Sequence, residues 1–196
     1  NPYFTRPIEM LNIRNGGLGI PGGVMAGVLA LWIYCRKKKM NFLLLLDILA
    51  PGLALGQAIG RWGNFFNQEV YGLPSNLPWA IKIDEAHRLP EFADVERYHP
   101  TFLYEFIWNI LNMLVLLWIS RKFAGKLKNG DVFLVYLIIY PVGRFLLEFI
   151  RIVYSPIAGI NSNQVLMAII AVAAAVTLVV RHLPKRKVGA QGNTGG

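Results

Sequence analysis

The chain has 196 residues, of which 55% are hydrophobic and only 16% are charged. An average soluble domain carries about 25% charged residues, so this composition exceeds what one buried core takes up and favours a lipid environment. The formal net charge is +9 and there is a single cysteine. One cysteine excludes a disulfide framework within the chain and a site built from several cysteines. We therefore expect an all-α integral membrane protein.

Five apolar stretches reach or approach the ~20 residues that a helix needs to cross a hydrocarbon core. They are residues 18–35, 43–60, 102–119, 131–150 and 164–181. The second is interrupted by Asp47 and Pro51, and the third contains Glu105. Because an ionisable side chain is costly in lipid, we expect Asp47 and Glu105 to face other helices or a water-filled cavity.

Twelve of the 20 lysine and arginine residues form three basic strips, which follow the first, third and fifth apolar stretches. No acidic residue lies inside any strip. A path of five alternating spans brings all three strips to one side, and the positive-inside rule makes that side cytoplasmic. The basic excess therefore indicates topology and affinity for anionic membrane lipid. We expect no nucleic-acid partner, because no nucleic-acid-binding motif accompanies the charge.

This topology places the C-terminus inside the cell and the N-terminus outside. Residues 1–17 contain no export signal and the chain starts at Asn1, so we expect it to be the C-terminal part of a longer protein. We predict a membrane-embedded domain over residues 1–181, with an ordered cap loop outside the membrane over about 61–101. Residues 182–196 are predicted to form a flexible cytoplasmic tail.

The densest cluster of polar residues and glycines lies at residues 60–72. Arg61 is permanently charged and offers five donors in a fork that matches a phosphate. Asn64 and Asn67 would share one face of a continued helix, and Glu69 follows them. An arginine that only snorkels to the membrane surface is the simpler explanation of Arg61. The surrounding amides, carboxylate and glycines favour an anion site.

A second cluster lies on the fourth apolar stretch. Tyr140, Arg144, Glu148 and Arg151 are spaced by four, four and three residues, so they share one helical stripe. One interpretation is a self-satisfied Arg–Glu–Arg ladder that only locks helices together. In the other, Glu148 holds both guanidinium groups and Arg144 faces the same phosphate as Arg61.

A third cluster, at the entry to the third stretch, contains His99 and Glu105. The unperturbed pKa of histidine, about 6.5, suits proton transfer, although His99 also fits an exposed loop histidine. Glu105 has either a direct role or a helix-orienting contact, and we expect it to be hydrogen-bonded or paired with an arginine. His87 and His182 are scattered along the chain, so no metal site is indicated.

Glycines mark two further segments. Gly22 and Gly23 lie at the start of the first stretch, where packing is the default explanation and lining a substrate pocket is the sharper one. Gly52, Gly56 and Gly60 repeat every four residues, a spacing that predicts close approach of another helix.

Taken together, the runs at residues 60–69 and 99–105 resemble bacterial prolipoprotein diacylglyceryl transferases. Residues 77–79 and 140–151 fit the same family in the same order, and the resemblance extends to about residue 181. It implies a fold of seven spans with the N-terminus outside, of which this chain would lack the first two.

The resemblance implies a reaction in the bacterial plasma (inner) membrane, at a site toward its outer side. The diacylglyceryl group of phosphatidylglycerol is transferred to the lipobox cysteine thiol of a prolipoprotein signal peptide, a thioether forms and glycerol phosphate leaves. No cofactor is implied. Arg61 would bind the phosphate and Arg144 would be the second essential arginine. The supporting residues carried over from the family are Asn64, Glu69, Gly72, Tyr140 and Glu148; Asn67 and Glu105 are added as substrate-binding candidates from their positions.

One position departs from the family. Many members have His-Gly-Gly where this chain has Pro21, Gly22 and Gly23. A proline cannot accept a proton, so His99 is the substitute candidate for a general base. Gly22 and Gly23 remain candidates for lining the substrate pocket.

Two other classes of protein are weighed against the transferase. A transporter or scaffold that binds phospholipid without chemistry would tolerate Arg61→Lys, because charge alone would serve. A metal-dependent phosphoalcohol transferase needs clustered aspartates. Here Asp47 and Asp131 are isolated, and Asp84 and Asp94 lie in the outer loop.

Overall fold

The computed structural model describes residues 20–152, 156–157 and 160–184. Within these ranges the chain forms long helices joined by short strands and turns. The helices are α1 (Ile20–Lys38), α2 (Phe42–Phe66), α3 (Thr101–Lys122), α4 (Asp131–Leu147) and α5 (Ser162–His182). The strands are β1 (Ile81–Lys82), β2 (Arg97–Tyr98), β3 (Pro156–Ile157) and β4 (Ile160–Asn161). Most of the predicted tail, residues 185–196, lies outside the described residues, as do residues 1–19.

The chain divides into two compact units, residues 1–45 and 46–196. The first contains α1, which has Pro21 in its opening turn, where the missing N–H would have no helical partner. Gly22 and Gly23 follow there and are exposed. The second unit contains most of α2 and all of α3, α4 and α5, with α4 lying against both α3 and α5.

Four helices of the described chain are long and apolar enough to cross a membrane: Phe42–Phe66, Thr101–Lys122, Asp131–Ile150 and Ser162–His182. Their outward faces are apolar; Ile48, Ile59 and Ile169 are each at least 60% exposed. A soluble protein does not expose apolar side chains on every face of a helix bundle, so this is a multi-pass membrane protein. Helix α1 is not among the four, and it ends on three basic residues.

Polar side chains cap the N-terminal ends of three helices. Asn41 accepts hydrogen bonds from the backbone N–H groups of Leu43 and Leu44 and so caps α2. Asn161 caps α5 in the same way. Asp47, inside α2, accepts from the backbone N–H groups of Gly130 (2.6 Å) and Phe133 (2.8 Å). The prediction that Asp47 faces another helix is therefore confirmed: it caps the start of α4.

The interior of the second unit is built on alanine. Ala50, Ala54 and Ala58 recur every four residues along α2 and are fully buried, and Ala50 and Ala54 lie in a cluster with Leu116 and Tyr136. The predicted packing of the glycine stripe at 52, 56 and 60 is not found in the described part of the chain. A Cβ atom added at any of these glycines would meet nothing within 4 Å.

Helix α2 continues to Phe66, six residues beyond the apolar stretch on which its end was predicted, because backbone hydrogen bonds persist where the side chains become polar. The segment between α2 and α3 is therefore 67–100 rather than 61–101. In it β1 pairs antiparallel with β2, and Ile83 and Tyr98 are buried together. Burial raises the pKa of the Tyr98 hydroxyl.

We call the end of the bundle that carries Arg61 the Arg61 end, and the opposite end the Asp131 end.

Candidate functional site

Glu105 joins the two predicted arginines at the Arg61 end. It lies in the first turns of α3 and is 2% exposed. Its Oε2 is 2.6 Å from Nε of Arg61 on α2, and its Oε1 is 2.5 Å from an η nitrogen of Arg144 on α4. The expected pairing of Glu105 with an arginine is thus confirmed, and it involves two arginines from two helices. Sequence spacing had not predicted that Glu105 is the residue that brings them together.

Glu148 extends this network. It lies in a short 3-10 turn directly after α4, and its buried carboxylate is 3.9 Å from Arg144 and 3.5 Å from Arg151. The predicted contact of Glu148 with both guanidinium groups is confirmed. Asn161, which the sequence analysis did not select, donates a third contact to Glu148 at 3.2 Å. Of the predicted helical stripe only Tyr140 and Arg144 lie on α4, because the α-helix ends at Leu147 and Arg151 has an extended backbone. The contacts of Arg144, Glu148 and Arg151 nevertheless form, and they are continuous with Arg61 rather than closed on themselves.

On its other side, Arg61 is connected to the turn that follows α2. It donates to Oδ1 of Asn64 at 3.3 Å. Asn64 in turn donates to Oε1 of Glu69 at 3.1 Å, and Asn67 donates to the same oxygen at 3.2 Å. The two asparagines therefore serve one carboxylate. Glu69 itself is exposed.

The backbone on both sides of Glu69 is strained. Gln68 and Val70 have positive φ angles of 50° and 56°, a region that β-branched residues rarely adopt. The strain is held by side chains: Gln68 exchanges two hydrogen bonds with Asp84, and the Thr101 hydroxyl donates to the carbonyl of Val70. Strain of this kind persists only where the surroundings fix it, and it is concentrated at functional sites.

Gly72 has a steric role in this arrangement. An added Cβ atom would lie 2.7 Å from the carbonyl oxygen of Ile150 and 2.8 Å from Cβ of His99. Gly72 also forms an isolated bridge with Arg151. The predicted participation of Gly72 in substrate binding is not tested by this packing, which shows only why the position is a glycine.

The other predicted site residues are found in different surroundings. The His99 ring shares a hydrogen bond with the Tyr104 hydroxyl at 3.2 Å, and that hydroxyl accepts from the Trp79 indole at 2.8 Å. Tyr140 is one turn before Arg144 and stacks on Tyr136, with ring centroids 5.8 Å apart. Gly22 and Gly23 belong to the first compact unit, whereas the network lies in the second.

Two cavities lie on either side of the strained turn. The smaller, of about 230 Å³, we call the Phe66 cavity; it is lined by aromatic and aliphatic side chains together with Asn64, Glu69 and Lys82. The larger, of about 570 Å³, we call the Arg151 cavity. Its lining residues are Asn67, Gln68, Glu69, Val70, Tyr71, His87, Leu89, Arg151, Ile152 and Asn163. Glu69 lines both cavities.

Residues 2–180 match the protein family described as prolipoprotein diacylglyceryl transferase. The chain belongs to this family. It is 43% identical over 180 residues to phosphatidylglycerol–prolipoprotein diacylglyceryl transferase 2 of Streptomyces coelicolor, which covers 90% of this chain and 56% of that protein. The transferase of Frankia alni is 44% identical over 177 residues, with 90% and 46% covered. That of Parasynechococcus marenigrum is 48% identical over 153 residues, with 76% and 55% covered.

The chain spans about half the length of the curated relatives that it matches.

The match to the family confirms the resemblance that was based on residues 60–69 and 99–105. Sequence reasoning selected Glu105 and expected it to pair with an arginine, but it did not predict that Glu105 links both arginines, and it set His87 aside as one of two scattered histidines. A signal for Glu105 existed, because it is an acid inside an apolar stretch and needs a cationic partner. No sequence signal placed His87 beside Glu69, since 18 positions separate them along the chain.

Proposed function

We propose that this protein transfers the diacylglyceryl group of phosphatidylglycerol to the lipobox cysteine thiol of a prolipoprotein, with formation of a thioether and release of glycerol phosphate. Membership of the family and the names of its relatives support this function. The protein would act in the bacterial plasma membrane on a lipid and on a membrane-anchored signal peptide.

The convergence of Arg61 and Arg144 on Glu105 carries the proposal. Three guanidinium groups and two buried carboxylates are ion-paired, which leaves one net positive charge among Arg61, Arg144, Arg151, Glu105 and Glu148. The exposed carboxylate of Glu69 is outside this count, since it is joined to Arg61 only through Asn64. A net charge of this sign in a partly buried site favours an anion. Guanidinium groups present forked donors, so a phosphodiester is the anion that they suit best.

The proposed chemistry follows from this charge. The thiol gives its proton to a base, and its sulfur attacks the glycerol carbon that carries the phosphate, so that a C–S bond forms as the C–O bond to the phosphate breaks. The electron pair of that bond passes to the departing phosphate oxygen. Arg61 and Arg144 stabilise the charge that develops there, and such preorganised stabilisation is typically worth about 10²–10³-fold in rate per donor. The substrate supplies the nucleophile, and the single cysteine of the chain has no part in the reaction.

Other residues have supporting roles in the proposal. Asn64 and Asn67 hold Glu69 at the edge of the substrate site, and Gly72 allows the backbone to approach closely. The remaining candidates are Tyr140 and Glu148 beside Arg144, His99 as a proton acceptor, and Gly22 and Gly23 as lining of the lipid pocket.

The proposed topology has five spans, with α1 as the first. The three basic strips then face the cytoplasm together with the C-terminus, and the Arg61 end faces the outer side beneath the cap loop. The five-span arrangement is supported by the length of α1, 19 residues, and by the basic residues after α1, α3 and α5. A non-catalytic lipid binder is not favoured, since no feature of the described residues supports it over the transferase.

Product formation tests the proposal directly. The purified protein is mixed with phosphatidylglycerol and a lipobox peptide, and mass spectrometry follows the gain of a diacylglyceryl group by the peptide. We expect product from the wild-type protein. Arg61→Lys keeps the charge but loses the fork and the Asn64 contact, so we expect turnover to fall by about 10²-fold.

Lipid binding without product in the wild-type protein would contradict the transferase and favour the lipid binder. Product formation in Arg61→Lys at the wild-type rate would contradict the role of the guanidinium fork. The matched control is Arg97→Lys, because Arg97 is an exposed residue of β2 outside the network; its turnover should equal that of the wild type.

A further inference from the structure

The Arg151 cavity is connected to both arginines of the proposed phosphate site. On one side, Glu69 lines the cavity and is joined through Asn64 to Arg61. On the other, Arg151 lines the cavity and is joined through Glu148 to Arg144. One intervening residue on each side thus separates the cavity from each arginine. A group bound in the cavity is therefore linked to both arginines through one intervening side chain on each side.

The size and lining of the cavity suit a short stretch of peptide. Its volume of about 570 Å³ falls in the range of small-ligand sites, about 300–1,000 Å³. Asn67 and Asn163 offer amide groups to a peptide backbone, and Leu89 and Ile152 offer apolar surface. The cavity also contains an imidazole, that of His87.

His87 differs from the other two histidines of the chain in its surroundings. Its ring is exposed, and the hydrogen bonds that it makes within the described residues are backbone ones: its N–H donates to the carbonyl of Asp84 at 2.9 Å, and its carbonyl accepts from the Tyr71 hydroxyl at 2.7 Å. The His99 ring is held by Tyr104 and lines neither of the two cavities. The His182 ring is bonded to Asp131 at the opposite end of the bundle. His87 is therefore the histidine that the fold presents to a cavity.

The position of His87 is fixed even though its ring is exposed. It ends a 3-10 turn over Glu85–His87, and that turn begins at Asp84, which exchanges two hydrogen bonds with Gln68. The same Gln68 is one of the two strained residues beside Glu69. The turn that carries the imidazole and the turn that carries the carboxylate are thus tied together.

We propose that the Arg151 cavity binds the cysteine-bearing segment of the peptide and that His87, in place of His99, is the general base of the reaction. This inference rests on the proposed function. The S–H proton passes to a ring nitrogen of His87 as the sulfur forms its bond to the glycerol carbon. The C–O bond to phosphate breaks and glycerol phosphate leaves. The imidazolium then releases its proton to water, so the ring is restored for the next turnover.

The charged and titratable groups around His87 are compatible with this role. From the strained turn, Glu69 and Tyr71 face the cavity, and Arg151 faces it from the segment after α4. On its own turn, His87 has Glu85 and Arg88 as neighbours. Glu69 is placed to stabilise the imidazolium that forms, and Arg151 raises the thiolate fraction of a bound cysteine.

The test compares His87→Gln with the wild-type protein across pH 5.5–9, about the range in which imidazole and thiol titrate. At pH 7 we expect kcat to fall by about 10²-fold or more, the usual contribution of a general base, with KM for phosphatidylglycerol within about twofold. The rate of the variant should rise about tenfold per pH unit until the thiol ionises by itself, near pH 8.5. Equal pH profiles for variant and wild type would overturn the proposal.

A second readout does not depend on turnover. Without lipid, alkylation of the lipobox peptide by iodoacetamide at pH 7 should be faster with saturating wild-type protein than with free peptide, and His87→Gln should abolish the difference. If the wild-type protein makes no product, the proposed function fails while this readout still decides on the cavity; no acceleration by the wild type would overturn the base. Loss of turnover in His99→Gln with a normal His87→Gln would also overturn it. Glu91→Gln, an exposed change in the next 3-10 turn, serves as the matched control.

Discussion

The two ends of the helix bundle use the same residue types for different purposes. At the Arg61 end, Glu105 binds two side chains, Arg61 and Arg144, and, among the residues that the structure describes, no backbone amide. At the Asp131 end, Asp131 is fully buried and accepts from the backbone N–H of Lys128 at 2.7 Å, besides contacting the side chains of Arg181 and His182. Both ends bury an acid against basic side chains from other helices, two helices at the Arg61 end and α5 alone at the Asp131 end.

The difference lies in what the basic groups do next. Arg181 donates to the carbonyl of Asn129 at 2.6 Å, and Lys128 donates to the carbonyl of Arg181. These two contacts with backbone carbonyls hold the loop between α3 and α4 against α5. At the Arg61 end, within the described part of the chain, the side-chain donors of Arg61, Arg144 and Arg151 contact only other side chains. Charged donors that remain beside a cavity can bind a ligand, whereas donors used on backbone carbonyls stabilise the fold.

The largest effect is expected from neutralising the acid at the Arg61 end. Glu105→Gln leaves Arg61 and Arg144 beside each other without a shared anion, so the guanidinium groups repel and move apart. We expect turnover per folded molecule to fall by about 10²-fold, since misplacing a positioned group by about 1 Å has an effect of this size. The assay for diacylglyceryl transfer measures it, at saturating phosphatidylglycerol.

Glu105→Asp separates charge from geometry. The carboxylate is kept but is one methylene shorter, so it reaches one arginine and not both. If charge neutralisation alone matters, Glu105→Asp will retain turnover near that of the wild type. Equal, strongly reduced turnover in both variants would indicate that simultaneous contact with the two arginines is required.

The arginine network also shows how far the sequence could predict the site. The helical spacing of Arg144, Glu148 and Arg151 was sufficient to predict their mutual contacts, because residues three and four apart on a helix are neighbours. Arg61 was selected from its own surroundings. The link between the two clusters depends on how α2, α3 and α4 lie against each other, and the periodicity of one helix does not contain that information.

The fold was predictable to a similar extent. Apolar length found the four long helices of the second unit, since lipid imposes a length on each span. The end of α2 was predicted at residue 60, which is too early, because the helix continues beyond its apolar stretch to Phe66. The packing face of α2 was assigned to Gly52, Gly56 and Gly60, whereas Ala50 and Ala54 make the contacts. Alanine and glycine both permit close approach, so residue size does not decide between the two faces.

A smaller effect is expected at Gly143, which sets the spacing of α3 and α4 next to Arg144. An added Cβ atom would lie 2.1 Å from Nε1 of Trp108, and that indole donates to the carbonyl of Ile139 at 2.9 Å. Gly143→Ala therefore displaces the ring and separates Arg144 from Glu105. We expect a loss of stability of about 1–3 kcal/mol, typical of overpacking, and reduced turnover.

Gly52→Ala is the matched control, because its Cβ atom meets nothing within 4 Å and alanine is the better helix former. Thermal unfolding in detergent and the transfer assay are measured for both variants. Unchanged turnover in Gly143→Ala would show that the Trp108 side chain changes its conformation while the backbone of α3 stays in place. In that case the distance between Glu105 and Arg144 does not depend on this contact.

The smallest effect on turnover is expected at the opposite end. Asp131→Asn keeps the acceptor for Lys128 but removes the charge that holds Arg181 and His182. Hydrogen bonds to charged groups contribute about 1.5–3 kcal/mol each, so the unfolding temperature should fall clearly. Turnover per folded molecule should stay within about twofold, because no donor of the Arg61 end depends on Asp131. The control is Glu96→Gln, since Glu96 is exposed and its pKa is lowered mainly by a hydrogen bond from Lys82.

Because the pKa of Glu96 is lowered in the folded protein, its contribution to stability is fully present only above the ordinary pKa of a glutamate. It disappears as pH falls through the lowered value, and exposed pairs contribute little to stability. If the unfolding temperature falls in Asp131→Asn and stays unchanged in Glu96→Gln, the loss of stability comes from the burial of the charged group and not from the loss of a charge alone. If Asp131→Asn lowered turnover as strongly as Glu105→Gln, the two ends would be coupled through α4. The separation of a structural end from a ligand-binding end would then be wrong.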